Sequence, residues 1–411
     1  MTYGGGHAPM IIPIVRELRN DPSISVECIA LTTAGPRFSR EGLPYRGFKD
    51  FISADDQDAL ACGLNLVREH HSADSGIDTQ EAVAYLGLSY QDLVTRLGPE
   101  TAATEWQDKG RHAFLPLTVI ARIFDKVQPD VVIATNSPRA ERAALMVANQ
   151  RGIPTVALTD LFGIGQFYPI EAQHICVFSE IAIEHMLREG VTVPRGAFRV
   201  LGNPAFDAAL DLRGPIDSER RANLLPGVPA TSKALLWVDM PAYWNLDKGF
   251  LHVRSDADVV RDLDDLLAAT QACDSWLLVR PHPSQHAEVH QTWVRQRGVG
   301  ARVMFVGDLP LYPLLNSVNA VATYTSTVGV EALLMNRPVL QLKFHEGRSD
   351  MPLGELGLAW EVNDRADLPK QLSAVLTDGE AWKAKRERIK RILPEVRAAP
   401  RIADLIRETI R

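Results

Sequence analysis

The sequence predicts an α/β fold with two domains, each built on a parallel β-sheet that helices cover on both faces. Short apolar runs rich in β-branched residues alternate with helical stretches, and these runs lack the polar–apolar alternation of half-exposed strands. The 411 residues are also enough for two domains of ordinary size.

The first half is expected to span residues 1–212. Its predicted strands cover 26–31, 129–134, 153–158, 174–178 and 198–202, and its predicted helices cover 10–18, 139–151 and 180–189. Between the first two strands lies a helical insertion at about 55–126, which is longer than an ordinary crossover. It is expected either to shape the ligand side of this domain or to cap the sheet edge.

The second half repeats the pattern after a polar linker at 213–232 and is expected to span 233–381. Its predicted strands cover 234–238, 276–280, 303–306, 320–324 and 338–342, with helices at 259–270 and after Thr327. The Lys- and Arg-rich segment 382–411 predicts one or two terminal helices. The shared alternation predicts two Rossmann-like domains.

A glycine-rich loop, Gly4, Gly5 and Gly6 followed by His7, comes almost at the start of the sequence. Glycines permit close backbone approach, and the following helix attracts phosphate or a developing oxyanion at its N-terminus. His7 is a candidate general base, because an imidazole titrates near neutral pH. The alternative is a tight turn with an exposed imidazole. Since only three residues precede the loop, either the first strand begins upstream of Met1, which we favour, or the sheet is one strand short.

Arg280 and His282, each followed by a proline, come at the carboxyl end of a predicted strand. Open α/β sheets bind ligands at this edge. The prolines stiffen the loop, so both side chains are pre-positioned for a phosphate. The alternative is a proline-rich turn with surface charges.

Three hydroxyls and a carboxylate follow another predicted strand of the second half. Thr325, Ser326 and Thr327 can cap the next helix or share its free N–H groups with a phosphate. Glu331, one turn further, can accept hydrogen bonds from both hydroxyls of a ribose, or it is simply a favourable first-turn carboxylate. We expect this strand to neighbour the strand of Arg280, and the two motifs together predict a nucleotide site.

Composition and missing motifs exclude several classes. A net charge of −7 argues against bulk nucleic-acid binding. The four cysteines form no C-x-x-C pair, and the adjacent His70 and His71 make a poor ligand pair, so we expect no metal site. Phosphate-loop, dinucleotide and serine-hydrolase glycine motifs are missing, and the acidic pair Asp256 and Asp258 is expected to cap a helix. With neither a spanning run nor a signal peptide, we expect a cytoplasmic protein without a cofactor.

These motifs resemble the GT-B superfamily, which comprises two-domain glycosyltransferases and UDP-N-acetylglucosamine 2-epimerases. Residues 4–7 are similar to the first loop of the transferases, residues 178–207 to the end of their N-terminal domain, and residues 326–339 to their nucleotide-sugar signature. Residues 280–283 resemble the His-Pro motif of capsule-type transferases for CDP-glycerol, sialic acid and Kdo. The resemblance covers most of the chain outside 55–126 and implies two domains facing across a cleft.

The resemblance also implies roles for individual residues. Arg280 and His282 would contact the nucleotide phosphate, Thr325, Ser326 and Thr327 would bind phosphate oxygens, Glu331 the ribose, and Gly5 and Gly6 the donor. His7 would deprotonate an acceptor hydroxyl, with Asp160 as a candidate partner. Asn136, Ser137 and Arg139 would face the same cleft, and Asn203 would lie near the interdomain crossing.

The activity that the resemblance implies is a metal-independent, inverting glycosyl transfer from a nucleotide-activated sugar in cell-surface polysaccharide or glycoconjugate synthesis. The acceptor would be a carbohydrate or a lipid-linked sugar, and the basic run 383–391 would touch the inner face of the membrane or merely be solvated. One alternative is a nucleotide-sugar epimerase or hydrolase, although Asn136 stands where the epimerases carry an acidic residue. Another is a non-catalytic sugar-nucleotide-binding protein.

Overall fold

The computed structural model describes residues 1–4, 6–70, 76–136, 138–164, 169–240, 243–245, 250–252, 254–283, 285, 287–344 and 351–410. The chain forms two compact units. The first comprises residues 1–207 and 397–411, and the second comprises 208–396. Both are α/β units with parallel sheets, which confirms the predicted fold class.

The sheet of the first unit is parallel. Its strands are β1 (Thr2–Tyr3), β2 (Ala30–Leu31), β3 (Val132–Thr135), β4 (Thr155–Leu158), β5 (His174–Val177) and β6 (Phe198–Val200). β1 pairs with β2, the strands β3 to β6 follow in order, and the amino group of Met1 donates to the carbonyl of Ile133 at 2.7 Å, which places β1 beside β3. The strand that we expected before the glycine loop is thus present as β1.

The helices of the first unit are α1 (Ala8–Arg19), α2 (Ala34–Arg40), α3 (Gln57–His70), α4 (Thr79–Leu97), α5 (Pro99–Lys109), α6 (Leu117–Val127), α7 (Ala140–Gln150) and α8 (Glu180–Arg188). The short α9 (Asp207–Asp211) begins at the last residue of the segment 1–207, and its other residues belong to the second unit. The predicted insertion thus contains α3 to α6. Its aromatic side chains Tyr85 and Phe114 share one core with Phe48 and Phe51, which precede it, and with β2, β3 and α7. The insertion therefore covers this region of the sheet and belongs to the core of the unit.

The second unit has a six-stranded parallel sheet. Its strands are β7 (Lys233–Val238), β10 (Ser275–Arg280), β11 (Val303–Phe305), β12 (Ala320–Thr323), β13 (Val339–Leu342) and β14 (Trp360–Val362), in the order β11-β10-β7-β12-β13-β14. An antiparallel hairpin, β8 (Tyr243–Asn245) and β9 (Phe250–His252), follows β7. The strands of the two motifs are therefore not adjacent as expected, because β7 lies between β10 and β12.

The helices that accompany this sheet are α10 (Ser218–Leu224), α11 (Asp256–Ala272), α12 (Glu288–Arg297), α13 (Leu311–Leu315), α14 (Val328–Leu334), α15 (Leu368–Thr377) and α16 (Gly379–Ile392). The segment expected as a linker contains α10. The N-cap of α11 is Ser255, which exchanges hydrogen bonds with Asp258 in a capping box. Asp258 therefore takes part in capping as predicted, whereas Asp256 is the first residue of the helix.

The two terminal helices lie in different units. α16 belongs to the second unit, whereas α17 (Ala398–Ile410) belongs to the first. The carboxylate of Asp207 accepts hydrogen bonds from the amides of Ala398 and Ala399 at 2.7 and 2.9 Å, and thereby caps α17. Among the described residues, no helix is long and apolar enough to cross a membrane.

Candidate functional site

Each sheet has a switch point, which is a pair of neighbouring strands from which the chain adds further strands in opposite directions. In the second unit the chain proceeds from β7 to β10 and β11, then continues from β12 on the other side of β7. In the first unit the same change falls between β1 and β3. Open α/β sheets bind ligands outside the carboxyl ends of the strands at this switch point. The loops after β1, β3, β7 and β12 are therefore the expected ligand-binding loops.

His7 lies at the switch point of the first unit. Gly4, with φ of 78°, makes the turn after β1, and its amide donates to Leu31 at 3.2 Å. Nδ1 of His7 is 2.7 Å from Oγ1 of Thr135, the last residue of β3. Oγ1 of Thr135 is in turn 3.2 Å from Oε1 of Glu141 in the first turn of α7. The loops after β1 and β3 are thus joined through a histidine, a hydroxyl and a carboxylate.

The environment of His7 favours its neutral form. Burial lowers the pKa of His7, the charge of Glu141 opposes this effect, and the charge of Arg139 reinforces it. The imidazole keeps 26% of its surface exposed, whereas the side chain of Glu141 is fully buried. A partly exposed ring that is neutral near pH 7 can accept a proton from a bound molecule.

The structure brings together only part of the predicted set around His7. The guanidinium of Arg139 stacks on the ring of Tyr3 at 4.1 Å, and Asn136 directly follows Thr135. Gly6 is exposed beside His7, and Gly5 and Ser137 lie outside the described residues.

The carboxylate that neighbours His7 differs from the expected one. Asp160 follows β4, one strand further along the sheet than Thr135, and is exposed. Glu141 lies 3.9 Å from Nδ1 of His7, and the sequence analysis missed it. Its only sequence signal is an acidic residue in the first turn of a predicted helix.

Asn203 has a local structural role. It is almost completely buried, and its Oδ1 accepts a hydrogen bond from the amide of Ala205 at 3.0 Å. It thereby caps the 3₁₀ turn Pro204–Phe206. The expectation that it lies near an interdomain crossing stays a prediction.

In the second unit, Arg280 fixes a neighbouring loop. Its Nη1 donates to the carbonyls of Val306 and Leu309 at 3.2 and 2.6 Å, so it holds the chain that follows β11. Burial lowers the pKa of Arg280, and the nearby carboxylates of Glu331 and Asp308 oppose this effect. The side chain is half-buried, and the two carbonyls hold its position.

Glu331 is a buried carboxyl in α14. It is 7% exposed, and its Oε1 accepts a hydrogen bond from the hydroxyl of Tyr312 at 2.8 Å. Burial raises the pKa of Glu331 to about 7, although the Tyr312 hydrogen bond and the charge of Arg280 act in the opposite direction. A carboxyl poised near neutrality, with one oxygen engaged by a hydroxyl, is suited to bind further hydroxyl groups.

The three hydroxyls before α14 are arranged differently from one another. Oγ1 of Thr325 lies 3.6 Å from Sδ of Met240 in the loop after β7. Oγ of Ser326 accepts a hydrogen bond from the amide of Val328 at 3.2 Å, and Thr327 is exposed. Ser326 therefore acts as a local cap, and the contact of Thr325 joins the two loops of the switch point.

Asp239, which the sequence analysis did not select, organises the loops around this switch point. It follows β7, is fully buried, and accepts hydrogen bonds from the amide of Met240 at 2.8 Å and from Arg254. Its Oδ2 is 2.7 Å from Nε2 of His290. Although burial acts to raise it, the hydrogen bond with His290 and the charge of Arg254 hold the pKa of Asp239 below its ordinary value.

Gln285 extends this network to the His282 loop. Its Nε2 donates to the carbonyl of Met240 and its Oε1 accepts from the amide of His282, each at 2.7 Å. Burial lowers the pKa of His282, while Asp239 opposes this effect. The loops after β7 and β10 are therefore tied together by one amide side chain.

Asp262 connects the same network to the third loop. It is fully buried in α11 and accepts hydrogen bonds from Arg254 at 2.5 Å, from Arg365 at 2.7 Å and from the hydroxyl of Tyr324 at 2.7 Å. Tyr324 directly precedes Thr325. A continuous buried chain of charges thus supports all three loops, and Arg254 links its two carboxylates.

Other candidate features carry less chemistry. A cavity of about 520 Å³ in the first unit is lined in part by residues 23–29, which precede β2, and by residues 126–133, which lead into β3, so it lies at the amino ends of these strands. Within the described part of the chain, no cluster of three His, Cys, Asp or Glu residues could hold a metal ion.

The basic run near the end of the chain is largely engaged in packing. Lys385 donates to Ala359 at 2.9 Å and lies over the ring of Trp360, and Arg386 pairs with Glu395 at 2.8 Å. Arg388 donates to Leu356 at 2.5 Å. These cations attach α16 to its own unit, and peripheral membrane contact stays a prediction.

The site of the second unit lies in a segment with recognised relatives. A family described as capsule polysaccharide biosynthesis protein matches residues 251–343, which include both predicted motifs. A curated relative, the capsule polysaccharide export protein KpsS of Escherichia coli, is 28% identical over 102 residues. That match covers 23% of this chain and 26% of the relative, so it concerns part of each protein.

Similarity in structure extends over the whole chain. A UDP-GlcNAc 2-epimerase from Neisseria meningitidis, solved with UDP-GlcNAc, matches with a TM-score of 0.62 at 13% identity, covering 100% of this chain and 98% of its own. A putative UDP-N-acetylglucosamine 2-epimerase from Listeria monocytogenes gives 0.61 at 15% identity, with 99% and 95% covered. The glycotransferase of kitacinnamycin gives 0.55 at 12%, with 100% and 98% covered. The chain has the GT-B fold. The sequence resemblance predicted this fold. At these identities the likeness concerns the fold alone.

Proposed function

We propose that this protein is a glycosyltransferase that uses a nucleotide-activated sugar and needs no metal ion. The observation that carries the proposal is the switch point of the second unit, where Arg280, His282, Thr325 and Glu331 come from the loops and helix that surround the carboxyl end of β7. The segment that contains them matches capsule polysaccharide biosynthesis proteins. Synthesis of a cell-surface polysaccharide or glycoconjugate is the corresponding process.

The donor nucleotide is assigned to this edge on chemical grounds. β10 and β12 flank β7, so their loops are about 10 Å apart, the width of two strand spacings. Cationic Arg280 and the His282 loop on one side would bind the phosphate, together with the hydroxyls of Thr325 and Thr327 on the other. Glu331 would accept hydrogen bonds from the ribose. An arginine cation and hydroxyl hydrogen-bond donors can stabilise the negative charge of a leaving phosphate without a metal.

His7 supplies the base in this account. Its ring is partly exposed and its lowered pKa keeps it neutral near pH 7, so it can take the proton of an acceptor hydroxyl. Direct attack of that oxygen on the donor sugar gives inversion. The acceptor class is a carbohydrate or a lipid-linked sugar.

The first experiment incubates the protein with UDP-, GDP-, CDP- and CMP-activated sugars without acceptor and follows donor and product by NMR. Line broadening of one donor without turnover is the expected result. Repeated turnover to an epimerised or released sugar would make the protein an epimerase or hydrolase. Failure of every donor to bind would remove the nucleotide site.

Variants of the second unit test the donor site itself. Arg280→Ala is expected to weaken binding of the donor at least tenfold, because it removes a charge-assisted contact and releases the loop after β11. Arg302→Ala is the matched control, because Arg302 precedes β11 at the opposite edge of the same sheet and pairs with Asp274 on the surface. Calorimetry measures the affinity of each variant for the donor. If Arg280→Ala binds the donor as tightly as the wild type and Arg302→Ala do, the assignment is contradicted.

His7→Ala separates catalysis from binding once a donor and an acceptor are known. Donor affinity is expected to stay within twofold, whereas transfer should fall by 10²–10⁴. Binding of a donor with no transfer to any acceptor, and no effect of His7→Ala on any property, would indicate a non-catalytic sugar-nucleotide-binding protein.

A further inference from the structure

We propose that Glu141, acting through the hydroxyl of Thr135, holds His7 in the tautomer whose Nε2 is the base. This assignment of a positioning residue rests on the proposed function for the reaction that it serves. The geometry on which it stands belongs wholly to the first unit. Three atoms define it: Nδ1 of His7, Oγ1 of Thr135 and Oε1 of Glu141.

The numbers of donors and acceptors on the three side chains fix the direction of each hydrogen bond. A hydroxyl has one proton to donate, and a carboxylate can only accept. Thr135 therefore donates to Glu141 across 3.2 Å and must accept from His7 across 2.7 Å. The proton of the neutral imidazole then lies on Nδ1, and the lone pair lies on Nε2.

The placement of Glu141 also suits the charge that forms during transfer. Its side chain is fully buried, and Oε2 has no hydrogen-bond partner among the residues that the structure describes. A buried carboxylate with unused acceptor capacity gains most from a nearby cation. Oε1 lies 3.9 Å from Nδ1 of His7, so protonation of the ring creates that cation beside it.

Proton transfer to His7 accompanies a single displacement at the donor sugar. The O–H bond of the acceptor breaks, its proton passes to Nε2 of His7, and the acceptor oxygen forms a bond to the anomeric carbon. The bond from that carbon to the nucleotide phosphate breaks, and its electron pair leaves with the phosphate. The imidazolium, stabilised by Glu141, later returns its extra proton to solvent.

Other charged groups act on this arrangement. Arg139, at the start of α7, disfavours the imidazolium. Tyr85 of α4 and the amino group of Met1 interact electrostatically with Glu141. Removal of the negative charge of Glu141 is therefore expected to lower the pKa of His7 further.

The test titrates histidine-labelled protein by ¹⁵N NMR, with His7→Ala identifying the resonance. In the wild type, His7 should show the Nδ1-protonated tautomer. Glu141→Gln should titrate at lower pH than the wild type. In Thr135→Val, His7 should no longer occupy a single tautomer, whereas in Thr135→Ser, which retains the hydroxyl, His7 should keep it. An Nε2-protonated ring in the wild type, or an unchanged titration in Glu141→Gln, would overturn the proposal.

Glu81→Gln is the matched control for loss of a buried carboxylate in the same unit. Glu81 is 5% exposed and accepts from the amides of Phe48 and Lys49 at 3.1 Å. Its variant can lower stability but should leave the titration of His7 unchanged. A similar shift in both variants would indicate a general structural effect and contradict the proposal.

Kinetics provide the second readout. In Glu141→Gln, kcat/KM should fall by about tenfold to a hundredfold, as part of the 10²–10⁴ that a positioned base supplies, and its acid limb should move to lower pH. The NMR result needs no turnover. If the protein transfers no sugar but His7 keeps this tautomer, the proposed function is refuted and the assignment of Glu141 stands. If the protein transfers sugar but His7 lacks this tautomer, the assignment is refuted and the proposed function stands.

Discussion

At the scale of single residues, the candidate chemistry depends on how burial changes two titratable groups. Burial lowers the pKa of His7 and raises the pKa of Glu331 to about 7. Both shifts favour the uncharged form of a group in a protein interior. His7 is thereby available as a base at neutral pH, and Glu331 loses or gains a proton within the physiological range.

Glu331→Gln tests the cost of that buried carboxyl. Its pKa is higher in the folded than in the unfolded protein, so the folded state binds more protons between pH 4.5 and 7, and stability falls as pH rises through this range. Glu331→Gln should therefore be more stable than the wild type at pH 8, by on the order of 1–3 kcal/mol, but not at pH 4. Urea unfolding at both pH values measures this difference, and equal stabilities at pH 8 would contradict a raised pKa.

At the scale of elements, the loops of the second unit depend on the chain of buried charges below them. Arg254 pairs with both Asp239 and Asp262. Gln285 and Tyr324 connect this buried network to two further loops. Strand ends alone would leave three flexible loops. The network gives them one arrangement before any ligand binds, which lowers the cost of ordering them on binding.

Asp239→Asn should be strongly destabilising, because it leaves the buried charge of Arg254 without one of its two carboxylates. The expected loss is about 3–5 kcal/mol at neutral pH. The pKa of Asp239 is depressed, so its contribution is present above the unfolded pKa and is lost as pH falls through the folded value. The difference between variant and wild type should therefore shrink in acid.

Asp264→Asn is the control for this measurement. Asp264 lies on the same helix as Asp262, but it is 47% exposed and pairs with the partly exposed Arg297. Its loss should cost at most about 1 kcal/mol. Similar costs for the two variants would show that the buried network does not stabilise the unit.

Sequence patterns predicted what depends on local residues and missed what depends on distant ones. The apolar runs of β4, β7, β10, β12 and β13 have strand signals strong enough to locate them. The run at 26–31 yields only the two-residue strand β2, whose residues pair with the equally short β1, and Ile29 before it forms an isolated bridge with Arg46. β14 escaped prediction because its three residues, one of them Glu361, carry too short a pattern.

The same contrast holds for the candidate sites. Motifs contiguous in sequence, such as Arg280 with His282, could be found because one loop holds them. Glu141 is 134 residues from His7 and Arg254 is 15 residues from Asp239, and no spacing rule brings such residues together. Their roles follow only from the side-chain contacts that the folded chain creates.

At the scale of the whole molecule, the chain divides its candidate chemistry between two units of similar design. Each has a parallel sheet with one switch point, and each switch point carries part of the predicted site. The first unit supplies a histidine suited to proton transfer, and the second supplies the charged and hydroxyl groups suited to a nucleotide. The fold is shared with epimerases and with a transferase, so the residues at these points, rather than the fold, determine the reaction.

The central claim is that the carboxyl edge of the second sheet binds a nucleotide. Hydrogen exchange with and without UDP, CDP, GDP and CMP tests it most directly, because it reports binding residue by residue. One nucleotide should slow exchange in the loops at 280–285 and 324–331, and Arg280→Ala should abolish this protection. Protection confined to the first unit, or none with any nucleotide at millimolar concentration, would contradict the account.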